Sequence, residues 1–175
     1  WINENPPVSG NGWEPYTLSL RLVNWVKWYN RAELEDIEIV ESIAQQAEAL
    51  SKQLEYHILG NHLFANAKAL VFVGCFMQDE RSEKYLKLGL NILKHEVAEQ
   101  FLDDGGHFEL SPMYHCILLW DLLDLINLAR VSSNPFLADL IPCWKRVTFG
   151  SMSFIRILRQ RKKDSSMCSA LFFSG

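Results

Sequence analysis

The stretch HLFANAKALVFVGCFM, residues 62–77, decides the fold. It is long enough for a helix and apolar nearly all round, as expected of a helix that is packed on several sides. Its centre, Val71-Phe72-Val73, is β-prone, but it lies within a helical run, which favours a helix. A helix buried in this way needs other helices around it.

Helical periodicity on both sides of this stretch supplies those neighbours. Further helices are predicted at residues 17–29, 32–58 (one long helix or two), 80–101 and 112–129, and another begins within 135–149. Residues 1–15, rich in Asn, Pro and Gly, read as an irregular lead-in. The sequence therefore predicts an all-α protein. Amphipathic helices alternate with nearly all-apolar ones, which predicts an outer layer packed on an inner one.

Length and composition indicate one globular domain with a real core. The chain has 175 residues, of which 49% are hydrophobic and 12% aromatic, which argues against disorder. No apolar run reaches the roughly 18 residues of a membrane span, so no membrane span is predicted.

The charge distribution separates the last residues from the rest. Residues 156–175 hold 5 of the 17 basic residues, so that 12 basic residues face 20 acidic ones in the remainder. An acidic body does not favour nucleic acid as a partner, and an acidic polysaccharide would need a local basic site. We expect residues 156–175 to be a non-native or disordered tail on an interrupted domain at 1–155; a basic tail that binds an acidic partner is the alternative.

The cysteines and histidines give no metal-binding pattern. The four cysteines lack CxxC spacing, which favours buried free thiols over a disulfide framework; they are Cys75, Cys116, Cys143 and Cys168. No HExxH motif occurs, and His57 and His95 complete no zinc set. The sequence predicts neither a metal nor a cofactor.

Two polar steps at the starts of apolar helices are candidate functional sites. One is Gly60-Asn61-His62; the alternative is that Asn61 simply caps the helix and His62 is a satisfied polar residue. Asn66 shares a helical face with His62, so both need partners or a cleft to line.

The other step is DDGGHFELSPMYH, residues 103–115, in which Ser111-Pro112 predicts the helix start. This segment places four candidate residues at the N-terminal end of a helix: His107, Glu109, Tyr114 and His115. Alternatively, Glu109 is a capping residue and Tyr114 is a half-buried Tyr with a hydrogen-bonded hydroxyl.

An aromatic cluster precedes the first helix. Trp13 and Tyr16 lie in the loop Trp13-Glu14-Pro15-Tyr16. They either stack on sugar rings or plug the end of the helical bundle, and the sequence does not separate these alternatives.

Three segments together resemble the heparinase II/III-like family, in its N-terminal helical domain. They are Asn24-Trp25, GNHLFANAKAL at 60–70 and DGGHFELSPMYH at 104–115. The resemblance covers roughly residues 5–141, and the two long motifs at this separation are specific. It implies an incomplete α/α toroid, which in the family is followed by an antiparallel β-sandwich domain.

The resemblance also implies an activity, because the family consists of polysaccharide lyases. They cleave uronic-acid-containing polysaccharides, heparin-, heparan- or alginate-like, by β-elimination. By resemblance, Asn61 matches the residue that neutralises the uronate carboxylate, and Tyr114 matches the base and acid. His62 and His115 are the expected substrate-binding neighbours, to which we add His107, Glu109, Trp13 and Tyr16.

The chain stops before the β-sandwich and before a further family His. We therefore expect a lyase fragment that is inactive without its missing C-terminal domain, with an apolar strip exposed where helices are absent. The family favours a periplasmic or other extracytoplasmic location. The alternative functions are a non-catalytic glycan-binding module and a helical scaffold.

Overall fold

The computed structural model describes residues 1–58, 60–132, 134, 137, 147 and 150. Within these residues the protein is all-α, as predicted, and the only β-type pairing is an isolated bridge between Phe101 and His107. Two short 3₁₀ helices at Ile2–Glu4 and Asn11–Trp13 precede the α-helices. These are α1 (Pro15–Arg31), α2 (Ile37–Ser51), α3 (Asn61–Phe76), α4 (Glu80–Gln100) and α5 (Pro112–Val131).

Helix α3 is the centre of the described fold, as its nearly all-apolar sequence predicted. It packs against α1, α2, α4 and α5, while α1 also packs against α2. Every α3 residue from Leu63 to Gly74 is buried. The prediction of a helix at the β-prone stretch Val71-Phe72-Val73 is confirmed. Central burial explains why α3 has no polar face, since each side of the helix meets another helix.

Two glycines let α3 and α4 approach closely. A Cβ atom on Gly89 of α4 would lie 2.7 Å from the carbonyl oxygen of Ala67 in α3. A Cβ atom on Gly74 of α3 would lie 2.7 Å from the backbone nitrogen of Leu86 in α4. The absence of side chains at both points therefore sets the distance between the two helices.

The helix ends follow local capping chemistry. Ser111 is the N-cap residue of α5 and Pro112 its first residue, as predicted. The predicted helix over 32–58 is wrong at both ends, because α2 covers only Ile37–Ser51. Asp36 fixes its start by accepting hydrogen bonds from the backbone N–H groups of Glu38 and Ile39. After Ser51 the chain turns to place Glu55 against α3.

An ion cluster joins α5 to α3 and α1. Lys68 is 6% exposed, and its Nζ lies 2.7 Å from Asp121 Oδ1 and 2.6 Å from Asp124 Oδ2. Lys27 of α1 reaches the same Asp124 oxygen at 2.6 Å. Two lysines and two aspartates balance in charge, which lets Lys68 be buried between helices.

Several sequence-based expectations concern other parts of the chain. The boundary at residue 155, the tail from 156, and Cys143 and Cys168 lie outside the described residues. Cys75 and Cys116 are free thiols, but the expectation that both are buried is wrong, since Cys116 is exposed and Cys75 half-buried. Cys116 faces outward because α5 packs on α3 through its opposite side. None of the described helices is both long and apolar enough to span a bilayer.

Candidate active site

The starts of α1 and α3 meet at one end of the helical array. Asn61, in the first turn of α3, donates a hydrogen bond from Nδ2 to the Tyr16 hydroxyl of α1 at 3.2 Å. The rings of Tyr16 and His62 stack with their centroids 4.3 Å apart. The structure therefore brings together three residues predicted for the site from two separate segments.

A buried polar network supports these residues from below. Glu55 is 6% exposed, and its Oε1 lies 2.9 Å from His62 Nδ1. Its second carboxylate oxygen accepts from Asn66 Nδ2 at 2.9 Å, and Asn66 Nδ2 also donates to Ser19 Oγ at 3.0 Å. The predicted need for hydrogen-bond partners is therefore met by Glu55 for His62, and by Glu55 and Ser19 for Asn66.

The second motif reaches the first through Glu109 and Gly60. Gly60 has φ 97°, and a Cβ atom there would lie 2.9 Å from Glu109 Oε1. The positive φ at this position favours a glycine, and the Glu109 side chain lies against it. The loop before α5 therefore lies directly against the turn before α3.

Gln100 holds this loop in place from the end of α4. Its Nε2 donates to the Gly60 carbonyl oxygen at 2.8 Å, and its Oε1 lies 3.3 Å from His107 Nε2. His107 is 1% exposed and has a lowered pKa, chiefly because burial disfavours the imidazolium ion. His107 is therefore placed to hold the loop, and a contact with substrate stays a prediction.

Tyr114 lies half-buried at the start of α5. The pKa of Tyr16 is raised, first by burial, then by the negative charge of Asp121, with smaller contributions from Glu55 and Tyr114, while the bond from Asn61 opposes the rise. Tyr16 therefore keeps its proton more firmly than an ordinary tyrosine. The next residue, His115, is 1% exposed and faces the interior, so its predicted contact with substrate also stays untested.

Trp13 lies outside this group. It is 5% exposed and belongs to the hydrophobic core, with its ring 6.0 Å from that of Trp1. Gln53 Nε2 donates to its backbone carbonyl at 2.9 Å. This placement favours the plug alternative for Trp13. Tyr16, which the sequence placed in the same loop, instead lies in the first turn of α1 and contacts Asn61 and His62.

The capping alternatives for the two motifs are wrong. Gly60, not Asn61, is the N-cap residue of α3, which leaves the Asn61 amide free to bond with Tyr16. Ser111, not Glu109, is the N-cap residue of α5, and the Glu109 carboxylate lies against Gly60 instead. Helix capping therefore explains the position of neither the Asn61 nor the Glu109 side chain.

Two supporting residues were missed by the sequence reasoning. Glu55 lies shortly before the first motif and Gln100 shortly before the second, but both look like ordinary polar residues of helices or turns. The only sequence feature that could have indicated Glu55 is that His62 and Asn66 need hydrogen-bond partners, and it does not identify which residue supplies them. Across the described part of the chain, no group of three His, Cys, Asp or Glu residues is placed to hold a metal.

Comparison with known proteins agrees with the two motifs. The family model described as "Heparinase II/III N-terminus" matches residues 1–143. A heparin-sulfate lyase of Bacteroides thetaiotaomicron is 30% identical over 145 residues, which cover 75% of this chain and 20% of the relative.

Two further relatives show a similar pattern. A heparin-sulfate lyase of Pedobacter heparinus is 36% identical over 80 residues, covering 45% of this chain and 12% of the relative. One of Bacteroides stercoris is 32% identical over 75 residues, covering 42% and 11%. The chain thus spans at most a fifth of the curated relatives it matches. No solved structure matches significantly.

Proposed function

Because this chain belongs to the heparinase II/III N-terminus family, we propose that it is part of a polysaccharide lyase acting on uronic-acid-containing chains by β-elimination. The similarity to heparin-sulfate lyases favours heparin- or heparan-like polymers over alginate as the substrate. The observation that carries the proposal is the Asn61 amide, which does not cap α3 but bonds with Tyr16. It lies in the turn of α3 next to Gly60, against which the loop before α5 and Tyr114 packs.

The residue types fit the chemistry of elimination. The proton on C5 beside a uronate carboxylate is weakly acidic, and its removal leaves an enolate-like species that needs charge stabilisation. The Asn61 amide would donate a hydrogen bond to that carboxylate. Tyr114 would remove the C5 proton as its phenolate and return a proton to the leaving glycosidic oxygen, which yields an unsaturated uronyl end.

Tyr16 takes a different role in this proposal. Its raised pKa, caused mainly by burial, makes it a poor base, while its hydroxyl holds the Asn61 side chain. We therefore assign Tyr16 to orienting Asn61 and Tyr114 to proton transfer. The toroid and the C-terminal β-sandwich domain belong to the same proposal, in which the 175-residue chain is inactive alone.

A chimera tests the activity. Residues 1–143 replace the matched segment of the Bacteroides thetaiotaomicron lyase, and release of unsaturated uronyl products from heparan sulfate is followed by ultraviolet absorbance. We expect the folded chimera to cleave and the 175-residue chain alone to release no product. A chimera that folds and binds the glycan without cleaving it favours a glycan-binding module, and one that neither binds nor cleaves favours a scaffold.

Substitutions in the chimera test the assigned roles. Tyr114→Phe should lower kcat about 10²–10⁴-fold, because a general acid and base is lost while ring packing is kept. Asn61→Ala should also lower kcat, through the lost stabilisation of the enolate. Tyr29→Phe is the matched control, since Tyr29 lies at the other end of α1, roughly 20 Å along the helix from Tyr16. Near wild-type turnover in a well-folded Tyr114→Phe chimera would show that Tyr114 is not the general base and acid.

A further inference from the structure

Glu55 is a buried carboxylate whose two oxygens are both engaged. Oε1 lies 2.9 Å from His62 Nδ1, and Oε2 accepts from Asn66 Nδ2 at 2.9 Å. The backbone N–H of Glu55 donates to Asn66 Oδ1 at 3.0 Å. The Asn66 side chain therefore bonds with both the backbone and the side chain of Glu55. These two bonds fix the position of the Glu55 carboxylate relative to α3.

This fixed carboxylate determines which His62 nitrogen carries the proton. A carboxylate only accepts hydrogen bonds, so the His62 nitrogen facing it must be the donor. In the neutral ring, a proton on Nδ1 leaves Nε2 as an acceptor. The Tyr16 ring, stacked at 22° to the imidazole, limits rotation that would break the Glu55 bond. The His62 side chain remains 33% exposed, so solvent reaches the ring.

We infer that Glu55 is a positioning residue that holds neutral His62 in the Nδ1–H tautomer, so that Nε2 accepts a hydrogen bond from a hydroxyl or N–H group of a bound sugar. The identity of the sugar as ligand rests on the proposed function. The tautomer itself follows from the geometry of Glu55, Asn66 and His62 and is independent of catalysis.

The tautomer is measured directly by ¹⁵N NMR of the histidine-labelled 175-residue chain at a pH where the ring is neutral. A His62→Gln variant assigns the His62 resonances among the 5 histidines. We expect a protonated Nδ1 and an unprotonated Nε2 in the wild-type protein. A mainly Nε2-protonated ring, which is the form that free histidine prefers in water, would overturn the inference without the need for any further variant.

Variants separate positioning from a general structural effect. Glu55→Ala removes the acceptor and should shift the ring to the Nε2–H tautomer. Ser19→Ala is the matched control, because Ser19 bonds to Asn66 in the same network without touching His62. An unchanged tautomer in folded Glu55→Ala, or a shift in Ser19→Ala as large as in Glu55→Ala, contradicts the assignment.

The functional consequence is tested in the chimera. Glu55→Ala should raise KM for heparan sulfate by about tenfold, the value of one hydrogen bond, with a smaller effect on kcat. An inactive chimera with the predicted tautomer contradicts the proposed function but not the positioning role. An active chimera with the wrong tautomer contradicts the positioning role alone.

Discussion

Single residues at the candidate site are held by partners that belong to other elements of the fold. Asn61 and Tyr16 are 45 residues apart, and Glu55 and His62 meet across a turn. The sequence could identify Asn61 and His62 as candidates because they are polar residues at the start of an apolar helix. It could identify Tyr16 only as part of an aromatic cluster that either stacks on sugar rings or plugs the bundle. It could not pair them, since the pairing depends on how α1 packs on α3. For the same reason, the sequence could not decide whether Trp13 stacks on sugar rings or plugs the end of the bundle.

His107 should make stability depend on pH. Its folded pKa lies below the ordinary value of 6.5, chiefly because of burial, with His115 lowering it further and Glu109 opposing. As pH falls through about 6.5, the unfolded chain binds a proton that the folded protein resists, so the free energy of unfolding should decrease. Above that pH the contribution of His107 is constant.

Urea unfolding at pH 7.5 and 5.5 measures this effect. The loss of stability on acidification should be smaller in His107→Gln, whose amide can still bond with Gln100. His95→Gln, at an exposed position of α4, should retain the full loss. Equal pH dependence in wild type and His107→Gln would show that His107 is not responsible.

At the scale of helices, apolar patterning and capping account for most of what could be predicted. Periodicity placed α1, α3, α4 and α5 within a few residues of their observed bounds, and Ser111-Pro112 placed the start of α5. The bounds of α2 were missed because apolar spacing continues beyond both ends. The Asp36 cap and the turn that carries Glu55 to α3 end the helix instead.

The approach of α3 to α4 should be sensitive to a single methyl group. Gly89→Ala would place Cβ 2.7 Å from the Ala67 carbonyl oxygen and 2.8 Å from Val71 Cγ2. Overpacking typically costs about 1–3 kcal/mol, and the better helix propensity of Ala offsets up to about 1 kcal/mol. We expect a net loss of about 1–2 kcal/mol in the free energy of unfolding.

Denaturant unfolding monitored by circular dichroism tests this prediction. Asn91→Ala is the control, because Asn91 is exposed on the same helix and Ala there should be neutral or slightly stabilising. Were Gly89→Ala as stable as the wild-type chain, the close contact between α3 and α4 would not be limiting.

For the whole molecule, one face of α5 stands out among the described surfaces. Exposed apolar side chains recur along it at helical spacing: Met113 at 60%, Trp120 at 68%, Leu123 at 39% and Val131 at 79%. The sequence predicted an exposed apolar strip as a consequence of an incomplete ring, but not its place on α5. Exposed apolar side chains on one face of a helix favour association in water.

We expect the 175-residue chain to self-associate through this face at micromolar concentration. Trp120→Lys should lower the average mass measured by sedimentation velocity, because a charge disfavours burial of the strip. Trp28→Lys is the matched control, since Trp28 is a 52% exposed tryptophan on α1. A chain that is monomeric throughout, or one that both variants affect equally, contradicts this role of α5.

The meeting of helix starts at the candidate site has an electrostatic consequence. Each helix carries roughly half a positive charge at its N-terminus through its aligned peptide dipoles, and the effect is confined to the first turn. Because Tyr16, Asn61 and Tyr114 lie in the first turns of α1, α3 and α5, these partial charges act on one small region. These partial charges oppose the carboxylates of Asp121 and Glu55, whose negative charges raise the pKa of Tyr16. The backbone therefore offsets part of the negative charge at the site of a protein whose net charge is −4, which no count of lysines and arginines reveals.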